Sequence, residues 1–580
     1  MIPRQSVSPM FDFERLARYQ SRRFVPEKVQ FSDVKDVQSL YQKMLVRKIH
    51  SVTDLEQWLL DRSELDAALD QEGAILYIRM TCQTDDAFRA ESYKHLIETI
   101  IPAVKPLEDQ LNQKYLEAVA KFPLNEKRFS VYTRGIRAEV DIFVKENVPL
   151  QTDVELLSQE YQTICGSLTV LFDGQEQTLP EMAKFLYEPD RWVRERAWRA
   201  TAQRRLQEQN KLDQLFDQML CLRNKIARNA GCQNFCAYKF RSLQRFDYTP
   251  EDCKRYHKTV EQLVVPLWGS VLERRRRQMN LQDLRPWDTS VDALGRPPLT
   301  PFENVQTFIE GCQEVFNRVD AEFGRQFADM VHKGLLDLAS RKGKAPGGYQ
   351  NTLAEAREPF IFMNAVGLDT DVRTLLHEGG HAFHSLACRQ ESLCAYRHAP
   401  MEFNEVASMG MELLAGEHLA VFYKLDEEQR SREVHFEDAI FTLVWVATID
   451  AFQHWIYENP GHHVLERKEA WLNIRRRFGA DFVNWDGLEE EHGSLWQKQL
   501  HIFEVPFYYI EYGIAQLGAL QLWLNAQKDW PLTVRQYKKG LSLGGSRPLP
   551  ELFQEAGLCF DFSERTIAPL MTAVGKELKL

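Results

Sequence analysis

Apolar residues recur three or four positions apart along most of this chain, and that spacing commits it to amphipathic helices before any single residue is weighed. The stretches 37–69 and 92–122 show it plainly, as in HLIETIIPAVKPLEDQLNQKYLEAVAKF. Residues 168–179, LTVLFDGQEQTL, alternate instead and carry Asp173-Gly174 between two halves, which predicts a hairpin. The helical pattern resumes at Asp190 and runs to Gly231. Thr249-Pro250, a cap followed by a first-turn proline, opens another helix expected to reach residue 279. The cations Arg274 to Arg277 at its end suit the helix dipole and read as a solvated terminus. Prolines 286, 297, 298 and 301 mark a linker. Helices are expected again over 302–339, a loop followed by one strand over 341–367, and helix beyond 370 apart from short turns.

Composition narrows the class. The 580 residues correspond to about three to four domain equivalents, and an apolar fraction of 44% excludes a disordered chain. With 72 basic against 83 acidic residues the net charge is −11, a poor basis for gripping phosphate backbones, so no nucleic-acid partner is expected. The start, MIPRQSVSPMFDFERLARY, lacks the run of about 7–15 apolar residues of an export signal. The runs 441–449 and 512–523 are interrupted short of the ~18 residues a membrane span needs. No membrane partner is expected, and the ten scattered cysteines read as reduced, mostly buried thiols of a cytoplasmic protein.

The residues that carry chemistry are His377-Glu378-Gly379-Gly380-His381. On a helix, positions i and i+4 lie about 40° apart and one turn along, so two imidazoles can grip one ion. Glu378 projects about 100° around from His377, which lets its carboxylate reach a metal-bound water without coordinating. The paired glycines cost a helix interior roughly 2 kcal/mol relative to alanines, which points to something approaching the backbone there. A catalytic zinc needs a third protein ligand. His384 lies about 10.5 Å along the helix from His377, too far to share the ion, and reads as an outer partner or a structural histidine. A second helix over 400–423 offers Glu402, Glu405 and Glu412, and spacing alone leaves all three open.

HEGGHAFH, together with FNEVAS around Glu405, resembles the oligoendopeptidase F and thimet oligopeptidase family of zinc metallopeptidases. APGGY and PFIFMN upstream and HIFEVPFYYIEY downstream extend the likeness, which covers roughly residue 191 to the C-terminus; the first 190 residues share mainly their helicity. The resemblance implies a mainly α, helical zincin-type peptidase with a deep cleft between two helical lobes and a small β element beside the HExxH helix. It implies an N-terminal helical lobe with a hairpin over 1–190 and a catalytic region over 191–580. It selects Glu405 as third ligand beside His377 and His381, with one Zn2+ per chain and Glu378 as general base.

Segment 501–512 is rich in neutral donors suited to an oxyanion. Tyr509 and Tyr512 share a helix face and Tyr508 points elsewhere; the resemblance assigns His501, Tyr509, Tyr512 and, less directly, Tyr508 to substrate and oxyanion. The PFIFMN run reads as a strand edge on which an extended peptide could pair, with Phe362 and the loop Gly347-Gly348-Tyr349 as substrate contacts. The expected activity is hydrolysis of internal bonds of short unstructured peptides. A carboxypeptidase or dipeptidyl carboxypeptidase, or a non-catalytic peptide-binding zinc protein, are the alternatives, and the oligomeric state is not legible.

Overall fold

Side-chain caps divide the expected helices. Asp33 accepts from the Lys35 N–H to open Val34–Val46, and Ser51 accepts from the Asp54 N–H to open Val52–Cys82, so the 37–69 stretch is two helices rather than one. The 92–122 stretch comprises Ala87–His95, a π turn at Leu96–Ile100 and Ile101–Lys121. Prolines 102 and 106, which lack an N–H, sit just beyond that turn. The 190–231 stretch is broken into Arg191–Leu206 and Gln209–Asn229. Thr249 and Asp252 form a reciprocal capping box at the start of Pro250–Thr259, which continues through a π turn into Val265–Gln278. Arg274 pairs with Glu437, and Arg276 and Arg277 pair with Glu273, so these cations are committed to intramolecular partners.

The structure, a computed structural model, describes Phe13 and residues 16–580. Residues 1–12, 14 and 15, which bear on an export signal, lie outside them. The chain is mainly helical with few short strands and divides into two compact units, each discontinuous in sequence. One comprises Met1–Val140, Leu299–Glu428 and Gly518–Phe560; the other comprises Asp141–Pro298, Gln429–Leu517 and Asp561–Leu580.

In the first unit the N-terminal helices bury Leu40, Met44, Trp58, Leu65, Val104 and Tyr115 in one cluster, which also takes in Leu393 and Tyr396. Those two residues belong to the connection between Asp369–Ala387 and Met401–Ala415, the helices that carry HEGGH and Glu405. Tyr396 donates to the Arg128 carbonyl (2.7 Å) and Arg128 pairs with Glu391. A short connection is thereby fixed at both ends.

The same unit holds a three-stranded sheet, and here two expectations need correction. Gly334, at φ 71°, ends Ala321–Lys333 in the left-handed conformation, and Leu336–Ala339 is a strand rather than the tail of a helix. The 341–367 region contributes two strands, Tyr349–Leu353 and Glu358–Ala365, where one was expected. Glu358–Ala365, which contains PFIFMN, is the central strand, parallel to Leu336–Ala339 and antiparallel to Tyr349–Leu353. The open edge beside the HEGGH helix is therefore Tyr349–Leu353.

In the second unit, Thr169–Phe172 and Gln175–Thr178 form the expected hairpin, with Asp173 and Gly174 at φ 49° and 79°. Leu425–Glu458 is, among the described residues, the one helix long and apolar enough to cross a membrane, but 78% of its most apolar window is buried inside the protein, as in a core helix. All ten cysteines are free, and seven are buried.

The closest helix approach explains the glycine pair. A Cβ on Gly380 would lie 2.4 Å from the Ala407 carbonyl oxygen and 2.6 Å from Ser408 Cα, backbone that cannot move aside; one on Gly379 would lie 2.5 Å from the Phe316 ring. Gly380→Ala should therefore destabilise the protein by about 1–3 kcal/mol through overpacking, against the ~1 kcal/mol that alanine would otherwise gain in a helix. Chemical denaturation measures it, and an unchanged or raised midpoint would contradict the close approach.

Candidate active site

The HEGGH helix starts at a carboxylate turn. Asp371 accepts the N–H groups of Val366, Gly367 and Leu368 at 2.8, 2.8 and 2.9 Å, which fixes the strand-to-helix corner. Two turns on, His377 and His381 project from one face, with ring centroids 4.9 Å apart. The glycine contact lays Met401–Ala415 against this face, and Glu405 Oε2 comes within 3.5 Å of His377 Nε2 and 3.7 Å of His381 Nε2. Ser408 donates to the same oxygen (2.9 Å) and holds its rotamer.

Ligand atoms of His377, His381 and Glu405 lie within 4.8 Å of one another. Bonds of ~2.0–2.1 Å in a tetrahedral arrangement put ligand atoms about 3.3 Å apart, so the set fits a zinc ion with three protein ligands. Of the other glutamates open to the sequence reading, Glu412 takes a different place: its Oε1 lies 2.7 Å from His377 Nδ1. A carboxylate there holds a proton on Nδ1 and aims Nε2 at Glu405, so Nε2 is the nitrogen that would be free to bind a cation. Glu402 is buried on the same helix but is not in the group. His384, 3% exposed, packs edge-on to Phe403, and burial lowers its pKa to about 4 despite a hydrogen bond with Asn404. It is a core histidine.

Charge in this site is uneven. Burial lowers His377, but the hydrogen-bonded Glu412 and the nearby Glu405 and Glu378 outweigh it and raise the imidazole to about 9. His381, buried and beside His377, is held well below its usual value and is neutral. Burial raises Glu378 to about 7, in the range of a proton acceptor working near neutrality. Its carboxylate also accepts the backbone N–H of Gln350, from the open sheet edge. Nothing in the sequence pattern signals that bond.

The substrate positions read from sequence fare differently. Phe362 is fully buried in the central strand, with its ring stacked on that of Tyr349 at 4.8 Å, so its side chain presents no exposed surface. The Tyr349 hydroxyl lies 2.6 Å from that of Thr81. The Gly347 and Ala345 carbonyls accept from the Asn364 amide, and Gly348 lies against Thr374 and Met363.

In the second unit His501 and three tyrosines form one ring cluster. His501 lies 4.7 Å from Tyr509, 6.0 Å from Tyr508 and 6.2 Å from Tyr512, and Tyr508 lies 5.3 Å from Tyr512. Tyr508 is thus part of the cluster rather than turned away. A relay orients the imidazole. Trp445 Nε1–H donates to Gln499 Oε1 (3.1 Å), which turns the Gln499 amide N–H toward His501 Nδ1 (2.9 Å). His501 must then carry its proton on Nε2. Burial lowers it to about 4, so it is a neutral donor at physiological pH. Tyr509 is hydrogen-bonded to Gln499 and Trp445. The preceding Phe507, at φ 65°, is pinned by Gln453 on its N–H (2.7 Å) and by Arg245 on its carbonyl (2.6 Å).

This helical fold and its HExxH site define a zincin-type peptidase. Residues 184–571 match Peptidase family M3 and residues 24–143 match the Peptidase M3 N-terminal domain; the chain belongs to Peptidase family M3 and is an oligoendopeptidase F-like protein. The likeness therefore reaches into the N-terminal helices, further than the motifs alone indicated. An oligoendopeptidase F homolog of Borreliella burgdorferi is 23% identical over 76% of this chain and 75% of its own length. Oligopeptidase PepF of Bacillus subtilis is 25% identical over 51% of this chain, a match spanning only 44% of that relative. Among solved structures, PZ peptidase A with an inhibitor superposes with a TM-score of 0.86 at 28% identity, covering 96% of this chain and 99% of that one.

The geometry makes one role measurable apart from chemistry. Replacing Glu412 with Ala frees the His377 ring, and zinc affinity should fall about 10–100-fold. Competition against a chromophoric chelator reads this directly; unchanged affinity would remove Glu412 from the site.

Proposed function

We propose that this protein is a zinc-dependent oligoendopeptidase that hydrolyses internal bonds of short unstructured peptides. The observation that carries the reading is the convergence of His377, His381 and Glu405 beside a Glu378 raised to about 7. Zinc held by those three residues would supply Lewis-acid polarisation of the scissile carbonyl and acidification of a water at the open position. Glu378 receives the proton of the attacking water and delivers it to the leaving amine. Gln350 holds the Glu378 carboxylate through its backbone N–H, and Glu412 holds the His377 ring. His501, through Nε2–H, and the phenols of Tyr508 and Tyr512 are assigned to the developing oxyanion; Tyr509 orients the cluster through Gln499. The Tyr349–Leu353 edge, with Gly347 and Gly348 before it, is assigned to pairing with an extended peptide backbone.

Glu378→Gln keeps the ligand set and should retain zinc and thermal stability while losing at least about 10²–10⁴-fold in turnover. Undiminished cleavage of a quenched peptide would sink the mechanism. Because only the ionised base accepts a proton, wild-type kcat/KM should fall as pH drops through the Glu378 titration. Its position should be at or below about 7, since a bound cation draws the carboxylate down. The residual rate of Glu378→Gln should lack that limb. Peptides amidated at the C-terminus should be cut at internal bonds; strict dependence on a free carboxylate would favour a carboxypeptidase.

A further inference from the structure

Another group of side chains of metal-ligating type lies in the second unit and shares no residue with the site above. Pro250–Thr259 carries Cys253 and His257 four positions apart, and Leu425–Glu458 carries Asp450 and His454 at the same spacing. Each pair therefore shares one helix face, one turn apart. Ligand atoms of Cys253, Asp450 and His454 lie within 4.8 Å of one another. All three residues are sealed from solvent, at 0%, 0% and 2% exposure. His257 Nε2 is 2.7 Å from Asp450 Oδ2, and His454 Nε2 is 3.4 Å from the same oxygen.

One atom here is not accounted for by protein partners: Asp450 Oδ1 is buried and makes no hydrogen bond among the described residues, while His454 Nε2 has only the long 3.4 Å contact with Asp450 Oδ2. Leaving such groups unpaired in a core is strongly unfavourable. His454 Nδ1 faces Cys236 Sγ at 3.9 Å, so the ring's other nitrogen is the one presented to Asp450. Arg245, a cation of the same core, is engaged by the Phe507 carbonyl and Glu511.

We propose that Cys253, Asp450 and His454 form a buried structural site for a zinc-like divalent cation, with His257 holding the Asp450 carboxylate in place through its hydrogen bond to Oδ2. One thiolate, one carboxylate and one neutral imidazole sum to −2, so a divalent ion makes the cluster neutral in a core that disfavours net charge. A mixed sulfur, nitrogen and oxygen set selects zinc-like ions over magnesium or calcium. Binding displaces the Cys253 thiol proton to solvent. The ion cross-links two helices, and one position before His454 the side chain of Gln453 holds the Phe507 N–H, so the staple also steadies the turn that leads into Tyr508.

The test uses the full-length protein. Elemental analysis should find two zinc ions per chain in the wild type and one in the His377→Ala/His381→Ala variant. That variant, loaded with cobalt(II), should show a near-ultraviolet sulfur-to-cobalt charge-transfer band, which a His/His/Glu site cannot produce. The band should vanish on adding Cys253→Ser and persist on adding Cys236→Ser, and chelator should lower the melting temperature of the double variant. No metal and no band in the double variant would overturn the site and leave the cluster a hydrogen-bonded core; a band that survives Cys253→Ser would overturn its ligand assignment. Should Cys253→Ser fail to fold, the metal content and cobalt spectrum of the double variant still decide. Neither readout depends on peptide cleavage, so failure here is distinct from failure of the peptidase reading.

Discussion

The contact of Gly380 with the backbone at Ala407 and Ser408 is the constraint on which the active-site half of the molecule depends. Two helices can meet backbone to backbone only where a side chain is missing, and this meeting brings Glu405 within reach of both imidazoles. The connection between the helices is held elsewhere, by Leu393 and Tyr396 in the N-terminal core and by Arg128 on Glu391. The N-terminal helices are thus more than an appendage. They clamp the loop whose placement decides where the helix carrying Glu405 lies.

Electrostatics follow from that packing. Three carboxylates, Glu378, Glu405 and Glu412, crowd two imidazoles in a half-buried space; the carboxylates raise His377 to about 9 against its burial, and burial raises Glu378 to about 7. An arrangement with more buried negative than positive charge is tolerated where a cation binds. His381 stays neutral, as a nitrogen ligand requires. Glu412 acts on the far side of His377 and sets which nitrogen faces inward. On the proposed reading, ligand, base and orienting group are all glutamates, and only their positions relative to the imidazoles separate their roles.

Much of this was legible in the sequence. HEGGH specifies its own geometry, because the i, i+4 relation is a property of any helix, and the Asp-Gly hairpin and the Thr249 cap rest on equally local chemistry. What escaped was non-local. Glu402, Glu405 and Glu412 are indistinguishable along one helix, and only the facing helix tells them apart. PFIFMN reads as a strand, but its central place depends on Leu336–Ala339 and Tyr349–Leu353, each too short to stand out from its neighbours. The donors that orient Glu378 and His501 are a backbone N–H and a glutamine amide, groups that carry no sequence signature.

The edge strand has a consequence for selectivity under the peptidase reading. Ile361 sends its N–H away to the Leu335 carbonyl, so its partner Gln350 directs its own N–H outward, and that N–H holds Glu378. Outward groups on a strand recur every second residue, about 6.6 Å apart. A peptide added to this edge can therefore shift relative to the base only in steps of two residues, since a one-residue slip would place its side chains on the wrong face. On that reading the scissile bond is set by backbone pairing at this edge. That kind of register suits an enzyme that accepts many short sequences and excludes chains already folded into their own hydrogen bonds.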